Sequence, residues 1–130
     1  MIGQRLTKQK ELILQIMKTT DTHLTADEIW RLAKDELSGI GLATIYRNLE
    51  LMVDGGLIEE IYIAGWPKWY ELKKSGYHGH AFCEQCGRLQ EVVNCSLCLV
   101  KNRLQQEEKF EGREWRFLVI GRCKKCQPKN

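Results

Sequence analysis

The sequence predicts an α+β chain, a winged helix-turn-helix followed by a small α/β half held together by zinc. Two observations carry that expectation. Three stretches with helical apolar spacing precede two strand-like runs in the first 72 residues, and two Cys-x-x-Cys turns dominate the remainder of the chain. At 130 residues the chain has room for one domain or two very small ones.

The first helix is predicted over 7–18, where Leu12, Ile13, Ile16 and Met17 recur at helical spacing behind Thr7 as N-cap. The second begins at Thr25, with Glu28 three residues on completing a capping box, and runs to about Leu37. Residues 38–41, with two glycines, break it. The third spans 42–54, turns Ile45, Leu49 and Met52 to a core, and stops at Gly55-Gly56, one of them suited to a left-handed C-cap. Strands are predicted at 57–63 and 69–72, with Gly65-Trp66-Pro67 as the turn. Three helices and a hairpin are the order of a winged helix, and also of other small α+β domains. Beyond about residue 73, short β-like runs (89–93 and 115–121) surround one helix at about 97–110. Strong apolar positions are few there, and so small a unit buries too little surface to fold unaided.

A hydrophobic content of 43% is that of an ordinary globular chain. The start MIGQRLTKQK lacks the apolar core of a signal peptide, and the longest apolar runs, such as 118–120, are far too short to span a membrane. The expected location is the cytoplasm, where six cysteines argue for metal ligands and against disulfides. A net charge of +3 announces no nucleic-acid partner by itself. Its placement is uneven: Arg5, Lys8, Lys10 and Lys18 outweigh Glu11 near the start, and Arg113, Arg116, Arg122, Lys124, Lys125 and Lys129 outweigh Glu114 near the end. Basic ends suit phosphate contacts and are also common on soluble proteins.

Cys83, Cys86, Cys123 and Cys126 form two Cys-x-x-Cys turns. Two intervening residues let both thiolates of a turn reach one ion, and two turns complete a tetrahedral four-sulfur shell of the kind that holds structural zinc. Gly87 lets the backbone turn around the metal. A closed shell has no open position, so its role is folding and not catalysis. The alternative, a pair of redox dithiols, lacks the βαβ context such motifs keep. Cys95 and Cys98 make a third pair, which this reading leaves open as free thiols, an auxiliary metal or redox site, or members of the structural site.

Two of the three histidines sit in Tyr77-His78-Gly79-His80, and strand alternation points His78 and His80 to the same side. His23, Glu71 and Glu91 complete a set of nitrogen and oxygen donors suited to iron(II), manganese, zinc or nickel. Such ligands from both halves would let metal occupancy fix their orientation. From spacing alone, exposed or hydrogen-bonded histidines explain the set as well.

These residues together resemble the ferric uptake regulator (Fur) family along nearly the whole chain. The likeness rests on Arg5-Leu-Thr-Lys-Gln-Lys, Leu24-Thr-Ala-Asp-Glu-Ile, Gly41-Leu-Ala-Thr-Ile-Tyr-Arg-Asn-Leu, Gly56-Leu-Ile, Tyr70-Glu-Leu, His78-Gly-His-Ala-Phe-Cys-Glu-Gln-Cys-Gly and Ile120-Gly-Arg-Cys-Lys-Lys-Cys. It implies a winged-helix DNA-binding domain (1–72), a hinge (73–77) and an α/β dimerisation domain (78–130) with a four-cysteine zinc site. It also implies a homodimer that binds palindromic double-stranded operators when loaded with a regulatory metal. Thr44, Tyr46 and Arg47 then fall on the DNA-facing start of the recognition helix, where a ring meets thymine methyls and a guanidinium takes guanine or phosphate. Helix packing is the other reading of Tyr46. Arg5, Lys10 and Lys68 are candidate phosphate contacts, and the family's regulatory site maps onto His23, Glu71, His78, His80 and Glu91.

Where many relatives carry the extra histidines and acids of an accessory metal site, this chain has Tyr77, Gly79, Cys98 and Trp115. Peroxide-sensing members usually place aspartates where Glu71 and Glu91 stand, and zinc-sensing members add a cysteine near the hinge that 72–77 does not offer. Iron(II) is therefore the first expectation for the regulatory metal, with zinc or manganese as alternatives. The resulting expectation is a repressor of metal uptake or homeostasis genes, with neither membrane nor small-molecule substrate as partner. Two rivals are a zinc-stabilised protein-interaction module, which the acidic middle of the chain favours, and a metalloenzyme. The latter would need an open coordination position beside a base, and no nucleophile is apparent.

Overall fold

Thr25 starts a helix because its side chain and that of Glu28 satisfy two orphan amides at once. The Glu28 amide donates to Thr25 Oγ1 at 3.2 Å, and the Thr25 amide donates to Glu28 Oε1 at 3.0 Å. This capping box opens α2 (Ala26–Glu36), which lies between α1 (Ile2–Thr20) and α3 (Leu42–Asp54) in the chain. The computed structural model describes the chain apart from residues 1, 21, 74–78, 94–95, 114 and 129–130, and for 2–7 and 96–98 it describes the backbone alone.

Helix α1 begins before the expected cap, so Thr7 is an internal helical residue. No proline interrupts 2–7, and a helix anchored by its packed face extends backward at little cost. That face brings Ile13 and Met17 onto Ile29 and Ala33 of α2 and Ile45, Leu49 and Met52 of α3. Trp30 of α2 donates from Nε1 to the Ile40 carbonyl at 2.9 Å, which ties down the turn between α2 and α3. Of the two glycines after α3, Gly56 takes the left-handed conformation, with φ of 74°.

The hairpin is β2 (Ile58–Ile61) and β3 (Trp69–Leu72), antiparallel, with Ile61 opposite Trp69. The first strand is shorter than the predicted 57–63. A two-residue strand that periodicity gives no reason to expect, β1 (Leu24–Thr25), adds to the other edge of β3, giving the order β1-β3-β2. Tyr70 of β3 is buried against the helices, and burial, helped by nearby Glu60, pushes its phenol up to about 12.

Residues Met1–Lys73 form one compact unit and Lys74–Asn130 a second. The second contains β4 (Gly79–Cys83), β5 (Leu89–Val92), α4 (Ser96–Gln106), β6 (Leu118–Gly121) and a single 3-10 turn at Lys124–Cys126. Its sheet has the order β5-β4-β6, with β4 antiparallel to β5 and parallel to β6. A parallel neighbour demands a long crossover, which the segment carrying α4 supplies. The helix ends short of the predicted 110, and Lys109 takes a positive φ of 54° where the chain leaves it. Among the described residues of this unit, Phe82 and Cys83 are the buried apolar side chains, while Val119 and Ile120 of the edge strand are each 51% exposed.

Gly79 shows why the chain has no side chain between His78 and His80. A Cβ there would lie 3.0 Å from the Phe117 carbonyl oxygen and 2.9 Å from its ring, and the His80 amide donates to the same carbonyl at 3.0 Å. Gly79→Ala is expected to destabilise the protein by about 1–3 kcal/mol, read as a lower denaturation midpoint. An unchanged midpoint would show that Phe117 yields freely.

Candidate functional site

Helix α3 presents two faces. Ile45, Leu49 and Met52 are buried, whereas Tyr46 is 43% exposed and Arg47 is exposed beside it, with half-buried Thr44 just before them. Tyr46 is therefore not a core packing residue. Asn48 is the residue that sequence reasoning missed. It is 3% exposed, and its Nδ2 donates to Gln9 Oε1 at 3.1 Å and to the Thr44 carbonyl at 3.0 Å, linking α1 to the start of α3. Its place three residues after Ile45 and four before Met52 is the signal that could have found it. Lys10 is exposed, Lys68 is exposed with Nζ 3.4 Å from Glu60 Oε2, and the side chain of Arg5 lies outside the described residues.

The four cysteines of the two turns converge within the second unit. Their sulfurs lie within 4.8 Å of one another, and Cys86 Sγ is 3.8 Å from Cys123 Sγ. An ion about 2.3 Å from two thiolates at the tetrahedral angle would place those sulfurs about 3.8 Å apart, so the cluster has the size of a zinc shell. Local hydrogen bonds shape both turns. The Gly87 amide donates to the Cys83 carbonyl at 2.8 Å, with Gly87 at φ 77°, and the Cys126 amide donates to the Cys123 carbonyl at 2.9 Å. The register of β4 with β6, where Cys83 faces Gly121, draws the two turns together.

The thiols share protons unequally. Hydrogen bonds from the backbone of Cys123 and then of Cys86 lower Cys83 to about 6. Cys123 is lowered chiefly by the Cys126 side chain, and the same contact pushes Cys126 up to about 12. A metal ion would compete with these shared protons for the sulfurs.

The nitrogen and oxygen donors form two pairs. In the first unit His23 Nε2 lies 2.8 Å from Glu71 Oε2, and Glu71 is 3% exposed. The β1–β3 pairing, with Leu24 opposite Tyr70, carries His23 alongside Glu71. In the second unit His80 is 8% exposed on β4 and stands opposite Glu91 of β5. His78 and Cys95 lie outside the described residues, as does the side chain of Cys98 on α4.

The ferric uptake regulator family model matches residues 1–119. The peroxide-responsive repressor PerR of Staphylococcus aureus is 32% identical over 127 residues, covering 98% of this chain and 85% of the relative. Among solved structures, the Campylobacter jejuni peroxide stress regulator matches with a TM-score of 0.80 at 26% identity, covering 94% of this chain and 91% of that one. The Helicobacter pylori ferric uptake regulator Fur matches with a TM-score of 0.84 at 20% identity, over 94% and 84% of the two chains, a likeness of fold.

Cys123→Ser, which removes one of the four clustered sulfurs, is expected to drop bound zinc well below one equivalent per chain and to lower the denaturation midpoint of the second unit. Metal content after dialysis measures the first. Full zinc occupancy in the variant would show that the cluster is not the site.

Proposed function

The chain belongs to the ferric uptake regulator family, and from that premise we propose that it is a repressor of metal uptake or homeostasis genes whose regulatory metal is iron(II). Family membership makes it a metal-responsive, DNA-binding transcription regulator and not an enzyme. The observation that carries the sensing proposal is that each unit offers a nitrogen–oxygen half-site, His23 with Glu71 in one and His80 opposite Glu91 in the other. With His78 these are the five ligands, and an ion bound to donors from both units would set the orientation of one against the other. Residues 1–72 serve as the DNA-binding domain, 73–77 as the hinge and 78–130 as the dimerisation domain. Zinc at Cys83, Cys86, Cys123 and Cys126 holds the last of these together.

Tyr46 and Arg47 are the base-reading residues, with Thr44 beside them and Arg5, Lys10 and Lys68 on phosphates; the exposure of Tyr46 and Arg47 on α3, and of Lys10 and Lys68, supports this. The operator is double-stranded and palindromic because two copies present two recognition helices. Leu118 and Ile120 share one face of the exposed edge strand β6 and offer an apolar surface on which the second copy docks. Among the described residues no helix is long and apolar enough to cross a membrane, and the cytoplasm is the proposed location. A peroxide-responsive role for the same metal site is the second reading, favoured by the 32% identity to a peroxide-responsive repressor.

Gel shifts on DNA selected from a random pool test the proposal. Binding should tighten with iron(II) and fall with chelator, and His80→Ala should abolish the metal response while zinc content stays unchanged. Binding indifferent to every metal and to chelator would sink it. Tyr46→Ala and Arg47→Ala should each cost about 1–3 kcal/mol of specific affinity with folding and dimerisation intact. Release of the iron-loaded protein from DNA by hydrogen peroxide would select the second reading.

A further inference from the structure

The second unit holds a cavity of about 450 Å³ beside the sulfur cluster, with Cys83 and Cys123 in its lining, that neither the DNA-reading helix nor the nitrogen–oxygen donors use. Ala81 and Val119, cross-strand partners on β4 and β6, form its apolar floor. Four cationic side chains line it, Arg88 beside the first cysteine turn and Arg122, Lys124 and Lys125 beside and within the second, and its lining includes no carboxylate. Among the described residues, three cations outside the cavity have acidic partners, Arg31 with Asp27, Arg103 with Glu107 and Lys68 with Glu60.

Neutralising the metal site is the obvious duty of such a group, and charge decides how far that goes. Four thiolates around a divalent ion carry two negative charges in total, whereas the four side chains carry four positive ones. A surplus of two positive charges remains on four exposed side chains at the rim of the cavity, where added salt screens it. The volume falls within the range of small-ligand sites.

We propose that this cavity binds a small organic dianion, two acidic groups on a compact carbon body, gripped between Arg88 and the Arg122, Lys124 and Lys125 run. The ligand's body rests on Ala81 and Val119. Phosphate esters and dicarboxylates share this chemistry. Arginine's planar fork favours two-point contact with either group. Occupancy would bridge the two cysteine turns, so the site couples an anion to the element that holds the dimerisation unit together.

Titration calorimetry of the zinc-loaded full-length protein tests this, with succinate, glycerol phosphate and inorganic phosphate as separate probes. One saturable site per chain is expected for an organic dianion, weakening as salt is raised. Success with succinate alone or with glycerol phosphate alone assigns the acid. Saturation by inorganic phosphate as tightly as by glycerol phosphate would remove the role of the apolar floor and overturn the organic part of the proposal. Arg122→Gln with Lys125→Gln should weaken binding about tenfold or more at unchanged zinc content. Arg88→Gln, from the other turn, is the second variant should the first lose zinc. Absence of saturable heat for every probe at millimolar concentration, or affinity indifferent to these variants, overturns the proposal.

Discussion

The second unit depends on four sulfur atoms held within a few ångströms of one another. Few of its described apolar side chains are buried, and its edge strand is half exposed, so hydrophobic burial alone supplies too little to hold three strands and a helix together. A metal held by the cysteine cluster would substitute for the missing core. The constraint propagates outward, because the parallel register of β4 with β6 that brings Cys83 to Gly121 also sets Phe117 over Gly79 and so fixes the backbone beside His80. Gathering the four sulfurs and presenting a histidine are thus consequences of one strand pairing.

The first unit is built the other way. Its three helices bury a continuous set of aliphatic side chains, and its polar devices set direction more than they hold the fold. Asn48 is the clearest, a buried amide that ties α1 to the start of α3. A buried amide left without partners costs more than the bond itself contributes, so the two helices are held in one relative placement. The same economy appears at β1, two residues long, whose pairing with β3 brings His23 to Glu71.

Much of this is legible in the sequence where the code is local. The capping box at Thr25 and Glu28, the bounds of α3 and the metal-ligand spacing of the cysteines all reflect chemistry within a few residues of chain. Sequence and structure part where the governing force is not local. Thr7 has a side chain suited to a cap, yet α1 is held by its packed face and runs past it to Ile2. The predicted strand 57–63 is too long at both ends, since a strand extends only as far as its partner does. Asn48 escapes a reading by hydrophobicity because its polarity masks its position in the helical repeat.

By itself the sequence determined the three helices and hairpin, the four ligands of the sulfur site and the resemblance to one regulator family, since caps, periodicity and short spacings are written in neighbouring residues. Tertiary structure alone decided that His23 meets Glu71, that His80 stands opposite Glu91, that Gly79 must lack a side chain, and that four cations from two separate turns line one cavity. Each of these joins residues far apart in the chain. Their proximity is set by strand register and helix packing, which no local pattern encodes.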